Sequence, residues 1–419
     1  MDSSTAPGLG RRTLIKACTS LGAIALAAPP LIKARGEEPI KLGFIDPLTG
    51  IYSAFAQSEV EGAKLATADI NKKGGILGRQ VVLLVEDSAN DVGTGVQKAL
   101  KLINRDHVNA IFGDVNSGVA YAISQVTSEH KVFHIVPGGH TDPITGKDCK
   151  WNVFRVCNTT SMDANAVSGE LIKRFGKKWY FITPDYAYGQ TLQAAFIKNL
   201  KKAGGTYQAD LLPLATTDFS ASLIKARAFG PNVLLNNMGG LSQVNCMKQF
   251  VQFGMSNQMA LGGALYEFEN MLSVPPQALT GWWTYEWWWN QPNVPAAVAF
   301  NRAIMKATGK PAASARHWFG WVGVHSVKIA AEKAKSLEAV KLAKALEGED
   351  LPDDVKCQQG RVYYRAGDHE LMANIFVGTP HPAKGGNPAD LVTVQSIVPG
   401  DKAADPVAET GCHLTWPTA

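Results

Sequence analysis

The sequence lacks the short strings by which several large classes of enzyme are recognised. It contains no GxSxG, HExxH, GxxxxGK[ST] or GxGxxG pattern, so nothing indicates a serine hydrolase, a zinc protease, a P-loop or a dinucleotide site. His130 and His134 are four residues apart, but His134 falls in a predicted strand, so the two would not share a helical face. We therefore expect no enzymatic activity, no cofactor and no metal.

Cysteine is scarce, and the absence of paired CxxC motifs gives no support to a structural zinc site. Five cysteines follow residue 36, and an odd number leaves at least one unpaired. Cys149 and Cys157 could join a loop to a neighbouring strand, and Cys357 could tie down the tail through Cys412. Cys246 lies in a helical pattern and is interpreted as a buried thiol. The alternative is that all five cysteines are reduced.

No apolar run in the sequence is long enough to anchor the chain in a membrane. The first such run, residues 17–28, has about 12 residues, whereas a span needs roughly 20. It follows Arg11, Arg12 and Lys16, and prolines and small residues come after it, which is typical of an export signal. The arginine pair resembles a twin-arginine signal, and a general secretory signal is the alternative. We predict a signal peptide over residues 1–36, cleaved near residues 28–34.

The remainder of the chain lacks an excess of either charge. Of 41 basic and 36 acidic residues, five basic and one acidic residue precede residue 37, so the remainder carries a net charge of +1. No basic tract remains there that would indicate a nucleic acid or a membrane surface as a partner. The 46% apolar content and the length are ample for two domains with buried cores.

Strand and helix patterns alternate along this remainder and then begin again. An apolar run at residues 40–45 precedes a helical period at residues 57–73, and such units recur up to a strand at residues 132–136. The pattern restarts with a helix at residues 163–175. Repeated strand–helix–strand units predict an α/β fold with two doubly wound parallel sheets.

Two long helices and several short strands complete the pattern. The helices are predicted at residues 295–308 and 315–335, and the strands at residues 361–364, 372–377 and 391–397. The last residues, from Pro399 onward, are rich in proline, aspartate and alanine and are predicted to form a surface tail.

Four short segments carry a resemblance to a known family. Residues 40–50 read IKLGFIDPLTG and residues 69–79 read DINKKGGILGR; Glu86-Asp87-Ser88 and Tyr188-Gly189 follow in order. In content and spacing these segments resemble the leucine/isoleucine/valine-type, type I periplasmic binding proteins of ABC transporters. The resemblance spans almost all of the chain after residue 36, and residues 69–79 are its most specific part. It implies two α/β lobes joined by three crossovers, with a ligand in the cleft between them.

The resemblance also predicts which residues belong to each lobe. It places crossovers near residues 157–160, 284–290 and 352–357. Lobe 1 would then contain residues 37–157 and 287–355, and lobe 2 residues 158–286 and 356–398, with a tail at residues 399–419.

The loops that follow the strands of lobe 1 are candidates for binding a carboxylate. In open α/β sheets the ligand crevice lies beyond the carboxyl ends of the strands, and helix N-termini there favour anions. Ser117, at the start of a predicted helix, matches the serine that the family uses for this purpose; an ordinary helix cap is the alternative. Gly138, Gly139, His140 and Thr141 form the next such loop, in which the glycines would allow close approach of the ligand and Thr141 would supply a hydroxyl.

Lobe 2 and the aromatic residues supply the remaining candidates. Tyr188 matches the family's cleft tyrosine, and Asp185 could pair with a ligand cation. Amino-acid binders of the family place a glutamate directly after the strand that corresponds to residues 259–262, but here Glu267 lies a few residues later. Either Glu267 or Asp185 therefore holds the ligand amine, or the ligand has no amine, since an unpaired buried ammonium is too costly.

Aromatic side chains are predicted to surround the ligand. Phe55 matches the family's aromatic residue over the ligand side chain, and Tyr52 lies near it in sequence. The tryptophan-rich run at residues 282–289, with Trp287 as the candidate, could form an aromatic wall; packing between the lobes is the alternative.

These observations predict a monomeric, exported solute-binding protein of the periplasm that works with an ABC permease and ATPase. The expected ligand is a branched-chain amino acid or a related organic or aromatic acid. The alternatives are a soluble ligand-sensing partner of a membrane receptor and an amide- or urea-type binder of the same fold.

Overall fold

The computed structural model describes residues 38–417, so the predicted signal peptide lies outside the described residues. Five parallel strands form the first sheet, in the order β2-β1-β3-β4-β5. Helices connect the first four of these strands, as the alternation predicts. The elements are β1 (Ile40–Asp46), α1 (Ser53–Lys72), β2 (Val81–Asp87), α2 (Val92–Asn104), β3 (Ala110–Phe112), α3 (Ser117–Glu129), β4 (Phe133–Val136) and β5 (Val153–Arg155).

The chain then enters the second lobe after only four residues. Five strands there run parallel, in the order β10-β9-β8-β6-β7. Buried apolar residues pack on both faces of this sheet, as expected when helices cover it on both sides. The elements are α4 (Thr160–Phe175), β6 (Lys178–Pro184), α5 (Ala187–Lys202), β7 (Thr206–Leu212), α6 (Ser220–Phe229), β8 (Val233–Asn236), α7 (Gly240–Gln252), β9 (Ala260–Gly263), α8 (Phe268–Met271) and β10 (Trp282–Tyr285).

After β10 the chain returns to the first lobe and then crosses once more. The helices that follow pack in the same core as β1, β3 and β4. Two late strands extend the second sheet at its β10 edge in antiparallel orientation. The elements are α9 (Pro295–Thr308), α10 (Ala315–Ala334), α11 (Ala339–Leu346), α12 (Asp353–Lys356), β11 (Tyr363–Tyr364), β12 (Leu371–Met372), β13 (Ile375–Pro380), β14 (Val392–Val398), α13 (Gly400–Ala403) and α14 (Val407–Thr410).

This architecture confirms the predicted α/β fold with two parallel-dominated lobes. The antiparallel strands β13 and β14 qualify the prediction of doubly wound parallel sheets, because the chain reaches them after its last crossover and not through a strand–helix–strand unit. Within residues 38–417, no helix combines the length and apolar character needed to cross a membrane.

Helices α1 and α10 approach each other closely, and this contact positions the site described below. A Cβ at Gly62 would lie 1.9 Å from the backbone oxygen of His317, and one at Gly320 would lie 1.9 Å from that of Glu59. Any larger residue at either position would separate the helices. A capping box between Ser314 and His317 starts α10, so the helix begins just before Arg316.

The disulfide connectivity differs from both predicted pairings. Cys149 bonds to Cys412, with an S–S distance of 2.07 Å, whereas Cys157 and Cys357 are buried free thiols. The pairings Cys149–Cys157 and Cys357–Cys412 are therefore wrong. The tail returns to lobe 1 next to Cys149, and this long-range contact has no signal in the local spacing. Cys246 is a buried free thiol, as expected.

Candidate functional site

A cavity lies between the two lobes, beyond the carboxyl ends of the parallel strands. It contains about 330 Å³ of space, part of which is open to solvent. Lobe 1 contributes residues that follow β1, β3 and β4 and one from α10, and lobe 2 contributes residues that follow β6, β8 and β9. This is the position at which open α/β sheets bind ligands. The lining residues are Tyr52, Phe55, Val115, His140, Tyr186, Tyr188, Met238, Gly239, Leu265, Glu267 and Arg316.

Arg316 is the only lysine or arginine among the residues that line this cavity, and carboxylates from both lobes hold it in place. Its Nη1 donates to Glu59 Oε1 at 2.9 Å, and its Nε donates to Glu267 Oε1 at 2.9 Å. The guanidinium carbon lies 4.8 Å from the centroid of the Phe55 ring. Glu59 and Arg316 come from α1 and α10, so the close helix contact brings them together, and Glu267 adds the second lobe.

Burial changes the ionisation of this group of side chains. It raises the pKa of Glu267 to about 7, against the opposing influence of Arg316. Burial also raises the pKa of Glu59 well above its usual value. Burial alone would lower the pKa of Arg316, but the carboxylates Glu267 and Glu59 raise it well above its ordinary value. The guanidinium therefore stays charged, and it is the fixed cation of the cavity.

His140 also lines the cavity, and it is hydrogen-bonded to Glu286, which follows β10 where the chain returns to lobe 1. Its Nε2 lies 2.7 Å from Glu286 Oε2, and both residues are buried. Burial lowers the pKa of His140, although Glu286 acts in the opposite direction. The imidazole also contacts the rings of Tyr188 and Phe319 edge-on. The sequence assigned His140 to the site but could not give it a role.

The two hydroxyls that were predicted to bind a carboxylate, those of Ser117 and Thr141, form hydrogen bonds within the protein. The hydroxyl of Ser117 accepts a hydrogen bond from Thr141 N at 3.2 Å, and Asn116, not Ser117, caps α3. Thr141 Oγ1 donates to the backbone oxygen of Ala187 in lobe 2 at 3.2 Å. Ser117 and Thr141 are not among the lining residues of the cavity. The Thr141 hydroxyl thus links the two lobes, whereas the Ser117 hydroxyl bonds within lobe 1.

The glycines of the loop after β4 make room for protein side chains. A Cβ at Gly138 would lie 2.3 Å from Glu59 Oε1 and 2.4 Å from Arg316 Nη1. A Cβ at Gly139 would lie 2.7 Å from the Cβ of Ala120. Gly138 is thus required for the Glu59–Arg316 ion pair.

Aromatic residues close the cavity at the junction of the lobes. The hydroxyls of Tyr52 and Tyr186 lie 2.7 Å apart, which forms a hydrogen bond from lobe 1 to lobe 2. Tyr52 and Phe55 stack with ring centroids 5.8 Å apart, and Tyr188 contacts Tyr186 on the opposite side. Tyr52, Phe55 and Tyr188 therefore all line this one cavity.

Two predicted site residues lie elsewhere. Asp185 is exposed and accepts a hydrogen bond from Gln190 at 2.9 Å, so it does not reach the cavity. Trp287 donates from Nε1 to the backbone oxygen of Cys357 at 2.8 Å and packs on Phe300 in the core of lobe 1. It lines only a smaller neighbouring cavity, so the packing alternative describes it better.

Several lining residues were not predicted. Arg316 precedes a largely apolar stretch of α10 with three aromatic residues and several valines, which was an available signal that its charge is buried and paired. Leu265 has a φ of +57°, and Thr284 Oγ1 accepts a hydrogen bond from its backbone N–H. A bulky residue in this conformation is strained, as residues at binding sites often are, and nothing in the sequence marks it.

Comparisons with known proteins agree with this geometry. The periplasmic binding protein family matches residues 39–386. The Leu/Ile/Val-binding protein BraC3 of Rhizobium johnstonii is 35% identical over 209 residues, which cover 49% of this chain and 55% of that protein. The match thus spans about half the length of this curated relative.

Solved structures share the fold across nearly the whole chain. A periplasmic binding protein from Burkholderia mallei has a TM-score of 0.84 at 24% identity and covers 90% of this chain and 99% of its own. A solute-binding protein of an ABC transporter from Rhodopseudomonas palustris BisB5, in complex with 3,4-dihydroxybenzoic acid, has a TM-score of 0.78 at 21% identity, over 86% and 98% of the two chains. With the inter-lobe cavity and the extent of the sequence match, these findings show that the chain belongs to the periplasmic binding protein family.

Proposed function

We propose that this chain is the extracytoplasmic solute-binding component of an ABC importer. In this proposal, an N-terminal signal exports it to the periplasm, where it acts as a monomer that captures a small carboxylate-bearing ligand between its lobes and delivers it to a permease. The observation that carries the proposal is the cavity in which Arg316, Glu267 and aromatic side chains from both lobes face one space.

The side chain of Arg316 supports the proposal that the ligand carries a carboxylate. A guanidinium has five N–H groups, and three hydrogen bonds to Glu59 and Glu267 use part of them. The remaining N–H groups are available to a ligand carboxylate. Tyr52, Tyr186 and Tyr188 add hydroxyls to the same cavity.

The balance of charges favours a ligand that also carries an amine. Glu59, Glu267 and Glu286 surround one guanidinium, and the lowered pKa of His140 favours its neutral form. A second anion without its own cation would add to this excess of acidic groups, and buried uncompensated charge is costly. Glu267 lines the cavity and is the acid nearest in sequence to the one that amino-acid binders of the family use. We therefore expect an amino acid to bind better than an amine-free acid of the same shape.

A matched set of ligands tests this proposal. Leucine, 4-methylpentanoate, 3,4-dihydroxybenzoate and isobutyramide would be compared by thermal shift and calorimetry. A ligand that binds only the native state raises its stability by about 2.7 kcal/mol at a hundred times Kd. We expect leucine or another amino acid to raise the melting temperature and 4-methylpentanoate to have a smaller effect. A response to 4-methylpentanoate as large as that to leucine would reject the amine requirement.

The Glu267→Gln variant gives the matched test of the amine site. It keeps the shape of the side chain and removes its charge, so amino-acid binding should weaken while the exposed Glu129→Gln control binds normally. Small-angle scattering should show compaction with the ligand, since both lobes contact it. A response to isobutyramide alone would favour the amide-type alternative, and no response to any small molecule would overturn the proposal.

A further inference from the structure

Three ligand-forming side chains meet beneath the cavity, where the lobes are joined. His140 lies after β4 in lobe 1, Asp163 lies in the first turn of α4 in lobe 2, and Glu286 follows β10 at the crossover. One ring nitrogen and one oxygen from each carboxylate lie within 4.8 Å of one another, and all three residues are buried.

One carboxylate of this group, Asp163, is only partly satisfied by its neighbours. Among residues 38–417, Asp163 has no ion-pair partner, and its Oδ2 has no hydrogen-bond partner although it is buried. Glu286 is hydrogen-bonded to His140 and also lies within the electrostatic reach of Arg316. Two carboxyl groups can supply, when they are deprotonated, the charge that balances one divalent cation.

Neighbouring groups hold one oxygen of each carboxylate. Thr284 Oγ1 donates to Asp163 Oδ1 at 3.2 Å, and the backbone N–H of Asn158 donates to Glu286 Oε1. Hydrogen bonds of this kind orient carboxylates in metal sites. Of the remaining oxygens, Asp163 Oδ2 has no partner within the described part of the chain, whereas Glu286 Oε2 is hydrogen-bonded to His140 Nε2, so a bound ion would replace the proton of that bond.

We propose that His140, Asp163 and Glu286 form a binding site for one divalent transition-metal ion, zinc or manganese. Zinc accepts imidazole and carboxylate donors at about 2.0–2.2 Å, and manganese favours carboxylate oxygens. The ion joins lobe 1 to lobe 2 through His140 and Asp163, so its binding favours the closed arrangement of the lobes. The site does not depend on the identity of the cavity ligand.

Metal titration of stripped protein tests the site. The full chain would be treated with EDTA, desalted and titrated with Zn²⁺ and Mn²⁺ by calorimetry. We expect one ion to bind per chain, and the Asp163→Asn variant to bind at least 10-fold more weakly. The Asp185→Asn variant, which removes an exposed carboxylate, should bind as the wild type does. Absence of binding by either ion, or unchanged binding in Asp163→Asn, would overturn the proposal.

A spectroscopic measurement on the wild type covers the case in which the Asp163 variant fails to fold. Co²⁺ added to the stripped protein should give visible absorption bands of a four- or five-coordinate ion with nitrogen and oxygen ligands. One equivalent of Zn²⁺ should remove these bands. If Co²⁺ keeps the weak spectrum of the hydrated ion, the site does not exist.

An independent observation concerns the C-terminal residues, which run from lobe 2 back to lobe 1. On lobe 2, Asp405 pairs with Lys198 at 3.1 Å, and Asn165 Nδ2 donates to the backbone oxygen of Ala403. Seven residues later, Cys412 is bonded to Cys149 of lobe 1.

The end of the tail is held on lobe 1 by a second contact. The ring of Trp416 packs against Trp151, with centroids 5.9 Å apart, and Lys344 Nζ lies 3.2 Å from the Trp416 centroid. We name residues 399–417 the tail strap, because both of its ends are anchored.

We infer that the tail strap limits how far the lobes open while the disulfide is intact, an inference that rests on the lobe motion in the proposed function. Between Asp405 and Cys412 an extended chain spans at most about 25 Å. The strap thus forms a fourth connection between the lobes beside the three crossovers. Reduction of the S–S bond to two thiols removes the covalent anchor of the strap and increases the opening, while the Trp416 contact remains.

Scattering from the ligand-free protein tests this inference without reference to any ligand. The radius of gyration of the oxidised wild type would be compared with that of protein reduced by a phosphine, which becomes the phosphine oxide. We expect a larger radius after reduction and in the Cys412→Ser variant, and no change in the Cys246→Ser control, whose thiol is already free.

Truncation after Glu409 removes the Trp416 contact as well as the disulfide, and it should give the largest radius. Equal radii for all forms would overturn the inference, even if ligand binding were established by the experiments above.

Discussion

Arg316 is buried between Glu59 and Glu267, and its loss would leave two buried carboxylates without their cation. Breaking a buried ion pair by removing one partner costs about 3–5 kcal/mol. We therefore expect Arg316→Met to lower the free energy of unfolding by about that amount and to abolish ligand binding. Urea denaturation would measure this effect.

The matched control for this substitution is Arg302→Met, which removes an exposed arginine on α9. Substitutions at such positions usually change stability by less than about 0.5 kcal/mol. Equal stability of the two variants would show that the ion pairs of Arg316 contribute little.

His134 is a second residue whose burial has a measurable consequence. Its Nε2 lies 2.9 Å from the backbone oxygen of Gly113, and burial lowers its pKa to about 4 from an ordinary value near 6.5. The unfolded chain therefore binds a proton that the folded chain does not between these values. The corresponding stability is complete above about pH 6.5 and is lost as the pH falls toward 4, by about 2 kcal/mol at pH 5.

Urea denaturation of the wild type and of His134→Gln between pH 7.5 and 5 would test this dependence. The difference between the two proteins should shrink as the pH falls, since the wild type loses the advantage of its neutral imidazole. The exposed His130→Gln variant serves as the control and should follow the wild type. A constant difference would contradict the prediction.

At the scale of elements, the packing of α1 on α10 and the loop after β4 decide the geometry of the cavity. The Gly138→Ala variant would place a methyl group 2.3 Å from Glu59 Oε1, within the buried ion pair. We expect a loss of stability of about 1–3 kcal/mol and weaker ligand binding, because the pair must move.

The Gly169→Ala variant is the matched control. Gly169 lies in α4, and a Cβ there meets no atom within 4 Å. Alanine should stabilise this helix by up to about 1 kcal/mol. Thermal denaturation and ligand titration of both variants would measure the difference, and a neutral Gly138→Ala would contradict the role given to that glycine.

Most elements were predicted from local patterns, whereas their exact beginnings were not. The helix predicted at residues 57–73 forms as α1, Ser53–Lys72, and the helix predicted at residues 315–335 forms as α10. Periodicity identifies a helix, but side-chain bonds decide its first residue: Asn116 caps α3, so Ser117 lies inside the helix. Because Asn116 is the cap, the hydroxyl of Ser117 does not cap the helix and instead accepts a hydrogen bond from Thr141 N.

At the scale of the whole molecule, contacts between the lobes stabilise the closed arrangement. The Tyr52–Tyr186 hydrogen bond is one of these contacts, and Tyr186→Phe removes it while keeping the ring. A net hydrogen bond contributes about 0.5–1.5 kcal/mol, so ligand affinity should fall by about 2- to 10-fold. Calorimetry with the ligand found by the screen would measure the change.

The control for Tyr186→Phe is Tyr207→Phe, since Tyr207 is 37% exposed on β7 and removed from the cavity. Its affinity should equal that of the wild type. If both variants bind equally well, the inter-lobe hydrogen bond does not contribute to closure.

The sequence by itself determined the α/β class, the two lobes and several residues of the cavity, including Tyr52, Phe55, His140, Tyr188 and Glu267. These features follow from local information, because the apolar period defines each strand and helix and the loops after parallel strands meet at one edge.

Only the tertiary structure decided which charges and sulfurs meet. Arg316 is 257 residues from Glu59, and Cys149 is 263 residues from Cys412, so no local pattern relates the members of either pair. Asp185 and Trp287 were wrongly placed for the same reason, since the direction of a side chain depends on the elements that pack around it. The fold is encoded locally, whereas the charge balance of the cavity arises from long-range packing.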